Sequence, residues 1–495
     1  MTLALCHAYN SGALEKEFPQ LNTVIHWFRR DFRVADNTAL AAAGRLGDAM
    51  LGVVVLDTRW FPASAAKTGA FQAAFWLAAI ADLRQSLAGL NIPLRIMQTD
   101  DPVAALLSLA REVRAGAITF NKEYEPAQMA QDQRLIQAAE DSGLSELKIY
   151  SYCDAVIFEE FEVLTANETP YTVFTPYKRS WLAKFSAASA VSRGLPRLMP
   201  RDVQSPVTSA VPSAVSLGFP AVTPDIPTGE SGGLRMLADF SRQRIGMYKQ
   251  RRDFPAETGV SRLSAHLSAG TISIRQCVSA AVAAGAMNGC GGAECWLSEL
   301  IWREFYRMVL FHFPHTVKQA FHRKFDTVAW ENNPALLAAW LGARTGYPIV
   351  DAALIQIQTT GWMHNRLRMI AAMFLTKDLD IDWRTGEQWF MRWLMDYDQA
   401  SNVGGWQWSA GTGTDAAPYF RVMNPILQAR RFDAQGTFVR RYIPALARVP
   451  DDFVHEPWLM PPLLQAQCGC RIGEDYPPPV VDHGAARIKA IKKFQ

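Results

Sequence analysis

The chain has no uninterrupted stretch of 18 or more apolar residues, which excludes a transmembrane helix. Its first residues, MTLALCHAYNSGALEKEF, lack a basic segment ahead of a short apolar run and soon turn acidic, so export is not expected. Cysteine is sparse and odd in number, with Cys6, Cys153, Cys277, Cys290, Cys295, Cys468 and Cys470 scattered along 495 residues. That usage excludes a disulfide framework, and the absence of any C-x-x-C spacing gives no support to a metal centre. A cytoplasmic protein without metal is expected. Also missing are G-x-G-x-x-G after a strand, G-x-x-x-x-G-K, G-x-S-x-G and H-E-x-x-H. The usual warrants for dinucleotide, triphosphate, acyl-transfer or zinc-hydrolase chemistry are therefore absent.

What is present is ample apolar material, 49% of residues, enough for two to four domains with cores of their own. The net charge is only +3, but residues 1–230 carry 20 basic and 24 acidic side chains, and residues 231–495 carry 30 and 23. A polyanion would bind the second half.

Short apolar runs at 23–28, 50–57, 93–98, 117–122 and 147–152 alternate with helical patterns at 36–45, 68–88, 102–114 and 127–142. Such alternation predicts a doubly wound α/β domain around a parallel sheet, over residues 22–152 and preceded by an extension, 1–21. Residues 201–233, rich in Pro, Ser, Thr, Val and Gly, close an interdomain connector and linker spanning 153–233. Beyond it helical periodicity replaces the strand pattern, predicting a large all-α domain over 234–485 and a basic, solvated tail, 486–495.

Four constellations stand out in the helical half. Tryptophan is dense there, which serves core filling, base stacking or electron transfer equally well. In GWMHNRLRM (361–369), Asn365 and Met369 share a helix face, and Arg368 lies within reach of an acid such as Asp396 in MDYDQASNVGGWQW (395–408). In GVSRLSAHLSAG (259–270), Ser261 and Ser264 stand at a helix start, where hydroxyls and free N–H groups suit a pyrophosphate and also serve as an ordinary cap. Basic residues recur at Arg366, Arg421, Arg430, Arg431, Arg440 and Arg441 among aromatic groups.

HWFRRDFRVADNTAL (26–40), YTVFTPYKRSW (171–181), RRDFPAETGVSRLSAHLSAG (251–270), WLSELIWREFY (296–306), RTGYPIVDAA (344–353), GWMHNRLRM and the run 382–425 together resemble the photolyase/cryptochrome flavoproteins, in particular bacterial class I cyclobutane pyrimidine dimer (CPD) photolyases. The resemblance covers about residues 22–485. It implies an antenna domain followed by a helical domain that holds FAD beside a DNA-binding face. Tyr248, Ser261, Arg262, Leu263 and Ser264 fall where the family grips the FAD phosphates and ribityl chain, and Asn365, Arg368, Asp396, Asp398 and Asn402 where it surrounds the rings. Glu299, Trp302, Asn365, Met369 and Trp408 fall at the pocket for a flipped-out dimer, with Asn402 facing the reactive ring nitrogen and Arg303, Arg366 and Arg421 at DNA-backbone positions. Trp406, Trp383 and Trp330 match the family's electron-transfer tryptophans.

The activity implied is light-driven repair of UV-damaged DNA by a monomer: excited reduced, anionic FAD gives an electron to the dimer, the cyclobutane ring opens and the electron returns. Asn365 and Met369 replace histidines of (6-4) photolyases, and Asn402 is the residue typical of repair enzymes, so a cryptochrome-type blue-light receptor is the alternative. Ala127-Gln128 stands where folate-antenna relatives have Asn-Glu, which leaves a folate, a deazaflavin, another flavin or no second chromophore open.

Overall fold

The computed structural model describes residues 21–494 except 62, 63, 65, 66, 142, 144, 145, 204–208, 417 and 419. The expected N-terminal extension lies outside the described residues but for Leu21, which opens β1 (Leu21–Phe28). The α/β domain continues through α1 (Thr38–Leu46), β2 (Gly47–Asp57), α2 (Ala70–Ala88), β3 (Leu94–Thr99), α3 (Pro102–Glu112), β4 (Ala117–Asn121), α4 (Pro126–Asp141) and β5 (Lys148–Tyr152). Its five strands pair in parallel in the order β3-β2-β1-β4-β5. Helices cover both faces, so β1 from Thr23 on and all of β4 are buried without alternation, as a sheet covered on both sides requires. The order reverses between β1 and β4, which places the crevice suited to ligands beyond their carboxyl ends.

The remainder is helical: α5 (Phe174–Lys184), α6 (Gly229–Gln243), α7 (Tyr248–Arg251), α8 (Ser264–Ala269), α9 (Ile274–Ala283), α10 (Gly291–His312), α11 (Pro334–Leu341), α12 (Pro348–Thr360), α13 (Asn365–Met373), α14 (Trp383–Trp393), α15 (Gln399–Ala410), α16 (Pro425–Phe432), α17 (Thr437–Tyr442), α18 (Pro462–Cys468) and α19 (His483–Phe494). Among the described residues no helix is long and apolar enough to cross a membrane.

Two sequence expectations need correction. The linker ends at Thr228, because Gly232 and Gly233, read as linker, lie inside α6. A Cβ at Gly233 would come within 2.8 Å of the His266 ring, so glycine there serves close packing. The tail is helical and docked along one side, while Arg487, Lys489 and Lys492 stay exposed as a solvated run would have them. Its α19 docks through His483 on Asp378, Lys489 on Glu331 and Lys493 on Asp380, with the Lys493 ammonium 5.4 Å from the Trp330 ring centroid.

The two domains are locked by a buried network. Arg275 bonds Asp36 at 3.0 Å and Asp154 at 2.6 Å, Arg33 bonds Asp154, and Ser273 bonds Asp36. Burial works against the Asp154 carboxylate, but the two guanidiniums overcome it and hold the group well below the usual range. The backbones also meet at Gly270 (φ +66°), where a Cβ would fall 1.8 Å from the Arg30 carbonyl oxygen. Only glycine fits that contact.

The connector is fastened by Glu304 on α10. Its carboxylate accepts from Ile157 N (2.6 Å), Phe158 N (3.3 Å), Trp181 Nε1 (2.7 Å) and Tyr177 Oη (3.4 Å). Burial nevertheless pushes its pKa up to about 7. The folded state thus binds this proton more tightly than the unfolded chain, so the contribution of Glu304 to stability is present at low pH and is lost as pH rises through 7. Between pH 8 and 5 the wild type should gain roughly 2 kcal/mol relative to Glu304→Gln, a difference measured by urea unfolding at both pH values.

Candidate functional site

The site is built on α13 and α15 and the loops before α8 and α15. His364 caps α13, its Nδ1 accepting from Arg366 N at 3.2 Å, and burial lowers its pKa to about 4, which keeps that nitrogen free to accept. From this start Asn365 stands exposed and Met369 half-buried one turn on. Arg368 reaches back to donate from Nη2 to both Asp396 oxygens (3.0 and 2.7 Å) and from Nε to the Met363 carbonyl (2.8 Å). The Asp396 side chain is 1% exposed and that of Arg368 26%, so the pair presents one guanidinium edge outward.

Asn402 is oriented by a residue the sequence reading did not single out. Its Nδ2 donates to the Glu387 carboxylate (3.0 Å) and backbone carbonyl (3.1 Å), and Tyr397 Oη reaches the same carboxylate at 3.4 Å. Burial raises the Glu387 pKa, partly offset by these donors. With both amide hydrogens committed, the Asn402 oxygen is left as an acceptor, and no described donor meets it. Glu387 precedes Asn402 by fifteen residues on another helix, a separation no periodicity reveals.

Asp398 is otherwise engaged. It caps α15 by accepting from Ser401 N (2.9 Å) and pairs with Arg307 (2.8 Å), whose charge, against the opposing effect of burial, holds its carboxylate well below the usual range. Its place at the ring site is therefore structural: it fixes α15 rather than offering a free oxygen.

Before α8, Arg262 has φ +55° and is followed by Leu263 at φ −84°, ψ 0°. This left-then-right-handed pair aims successive N–H groups to one side, a concavity suited to an anion. Ser261 does not cap the helix; its Oγ accepts from Leu263 N at 3.4 Å, and the cap is Leu263. Ser264 is exposed, while the Arg262 side chain turns away to Asp225 (2.7 Å) and stacks on Trp362. Only the backbone of Arg262 is left to grip a phosphate. Tyr248 lies buried nearby against Phe240 and Arg252. These groups fit FAD: outward N–H groups for its phosphates, a fixed cation for an anionic ring, and the free Asn402 acceptor for a ring N–H.

Glu299 and Trp302 lie on α10, partly open. Trp302 is braced by Phe174, stacked at 3.7 Å and 11°. Two adjacent residues then tie this helix to α13: Arg252 pairs with Glu299, and Asp253 pairs with Arg366 at 2.8 Å. Trp408 projects from α15, half-buried. Arg366 and Arg431 lie over the buried Phe432 ring from 4.6 and 5.1 Å, and Arg421 is exposed. Arg303 does not join them. Its guanidinium donates to the Ala155 and Leu267 carbonyls in a polar pocket between the domains, lined by Arg33, Glu123, Asp154 and Arg307, and burial lowers its pKa to about 10. It fell on the helix side that faces the α/β domain, so the expected backbone contact is withdrawn.

Trp406 and Trp383 are buried in one core and Trp330 packs half-buried against it. Trp406 sits so close to Gly386 that a Cβ there would come within 2.1 Å of its ring. In the α/β domain, Arg29 is paired with Asp132 and Arg30 with Glu125 beyond the ends of β1 and β4. Ala127 is exposed and Gln128 half-buried at the start of α4.

A family model for DNA photolyase matches residues 24–197, and one for the FAD binding domain of DNA photolyase matches residues 296–495. The chain is 40% identical over 490 residues to a deoxyribodipyrimidine photo-lyase of Escherichia coli, covering 96% of this chain and 99% of that one. In structure it resembles a bacterial class III photolyase from Agrobacterium tumefaciens, with TM-score 0.86, 34% identity and 98% of each chain covered. It also resembles a Synechocystis cryptochrome, with TM-score 0.84, 27% identity, and coverage of 97% of this chain and 100% of that one.

Proposed function

The chain belongs to the DNA photolyase family, and from that premise we propose that it is a light-dependent deoxyribodipyrimidine photo-lyase, splitting cyclobutane pyrimidine dimers in UV-damaged DNA. The observation that carries this reading is the Arg252-Asp253 bridge, which sets Glu299 and Trp302 of α10 beside the Asn365, Arg366 and Met369 face of α13.

Bound FAD, reduced and photoexcited, supplies the electron that opens the cyclobutane ring and takes it back. The chain's own residues do the rest. Arg366, Arg421 and their neighbours hold the DNA backbone, a contact that weakens with salt and carries no sequence preference. A dimer pairs poorly, so it is cheaper to extrude than a normal base pair, which selects damage without reading sequence. Trp302 and Trp408 offer flat apolar walls to the flipped bases, and Glu299 accepts from a pyrimidine edge. Arg368 places a positive charge where an anionic ring is stabilised in a poorly solvated site. Asn402, held by Glu387, keeps its oxygen toward the ring.

The test is recovery of thymine ultraviolet absorbance in an oligonucleotide bearing one dimer, mixed with the reduced FAD-loaded protein in blue light and in the dark. Light-dependent recovery supports the reading. A flavin that photoreduces while the dimer survives would instead favour the cryptochrome-type receptor, to which the fold is also similar.

A further inference from the structure

The linker is anchored where it passes the turn before α8. Leu217, Phe219 and Ile226 bury their side chains in the core cluster of the α/β domain, which also takes in Ala265 and Ala269 of α8. Asp225 stands exposed beside the buried Ile226, and both its oxygens accept from Arg262 Nη2, at 2.7 and 2.9 Å. The same guanidinium lies over the half-buried Trp362 ring, 4.5 Å from its centroid. Trp362 in turn meets His364 edge-on at 6.1 Å, and His364 caps α13. One linker carboxylate is therefore joined, through Arg262 and Trp362, to the helix that carries Asn365 and Arg368.

A partly exposed ion pair by itself contributes little. What sets this one apart is the backbone it controls. Arg262 stands at φ +55°, a conformation that a residue with a side chain keeps only where its surroundings fix it. Relaxation to negative φ would turn the neighbouring N–H groups out of their common direction and dismantle the concavity suited to phosphate. Ser261 reaches only Leu263 N, at 3.4 Å, and Ser264 is exposed, so neither hydroxyl restrains the turn firmly. Leu263 anchors its far end in the core, but the left-handed residue itself is gripped by Asp225 and Trp362.

We infer that Asp225, with Trp362, is a clamp that holds the Arg262 turn in its phosphate-gripping form, so that the linker sets how long FAD stays bound. The inference rests on the photolyase reading for the place of the FAD phosphates. Asp225 is a positioning residue, acting through Arg262. When the clamp opens, the turn relaxes and the phosphates lose their N–H donors.

The experiment needs no light. Wild type, Asp225→Asn, Asp225→Glu, Arg262→Gly and the variant carrying both Asp225→Asn and Arg262→Gly are loaded with oxidised FAD and diluted, and release is followed by the rise in flavin fluorescence. Asp225→Asn should release FAD about fivefold faster, the scale of a partly exposed pair, and Asp225→Glu should stay within about twofold of wild type. Glycine adopts φ +55° freely and offers no side chain to clamp, so beside Arg262→Gly the Asp225→Asn change should alter the rate by less than about twofold. A flavin-free readout accompanies these. Trypsin cuts after Arg262 only when that side chain is released, so apo Asp225→Asn should be cut between residues 262 and 263 about fivefold faster than the apo wild type, with other cuts unchanged. The clamp is overturned if Asp225→Asn releases FAD at the wild-type rate, or more slowly because the freed guanidinium itself grips phosphate. It is overturned equally if Asp225→Asn costs as much beside Arg262→Gly, or if the tryptic cut does not change. A wild type that takes up no FAD overturns the photolyase reading as well, and so is distinguished from failure of the clamp alone.

Discussion

Replacing Glu299 and Trp302 together by alanine should cut dimer binding, and repair at limiting substrate, by roughly a thousandfold. Glu299 is the one carboxylate joined to the Arg252-Asp253 bridge from α10, and its loss leaves a desolvated pyrimidine edge without an acceptor, at about 1–3 kcal/mol. Trp302 is fixed in orientation by the parallel ring of Phe174, so its other side is available for stacking, worth about 1–3 kcal/mol per base. Taken near the middle of each range, the two losses approach 4 kcal/mol, or about three orders of magnitude. Binding is measured by titration with a dimer-bearing oligonucleotide in the dark, and repair under light at one dimer concentration. Undamaged DNA should bind the variant as it binds the wild type, because the backbone contacts are untouched. An equal loss for both DNAs would place these residues in general DNA binding and sink their assignment to the lesion.

Removing the positive charge of Arg368 should weaken binding of reduced FAD far more than of oxidised FAD. A unit charge beside an anionic ring, in surroundings intermediate between water and protein, contributes roughly 3 kcal/mol. Partial exposure of the arginine lowers this to about 2 kcal/mol, some thirtyfold in the ratio of the two dissociation constants. Arg368→Met retains most of the apolar stem and tests the charge. Asp396→Asn provides the opposite sign: it leaves the cation unopposed and should tighten binding of the reduced form relative to the oxidised one. Calorimetric titration with each redox form gives both ratios. Ratios that move together in the two variants would show that the pair acts only as a clamp between α13 and the segment before α15. Loss of Arg368 also strips Asp396 of its main buried partner, so a lower unfolding temperature is expected in either case.

The sheet was legible because β1, β2 and β4 are buried on both faces, so that short apolar runs alternate with longer helical segments and run length sufficed. The Arg368–Asp396 pair was legible as an arginine on α13 and an acid in the segment that follows α14. Glu387, Arg252, Arg307 and Glu304 were not. Each acts on a residue that spacing along its own helix does not identify, and only the folded chain brings Glu387 to Asn402 or Glu304 to residues 157 and 158. Arg303 misled for a related reason. Periodicity groups it with Glu299, one turn away on α10, but it does not state which flank of a 22-residue helix meets another domain. Gly232 and Gly233 misled because glycine signals a flexible chain and close helix packing alike.

The Gly270 contact with Arg30, with the buried Arg33, Arg275, Asp36 and Asp154 network beside it, leaves no hinge between the sheet and the helical domain at that seam. Resonance energy transfer depends steeply on the distance between two pigments and on the angle between their transition dipoles. A pigment carried on the α/β domain would therefore deliver its excitation to the flavin with an efficiency set by covalent and packing geometry, the same before and after DNA binds.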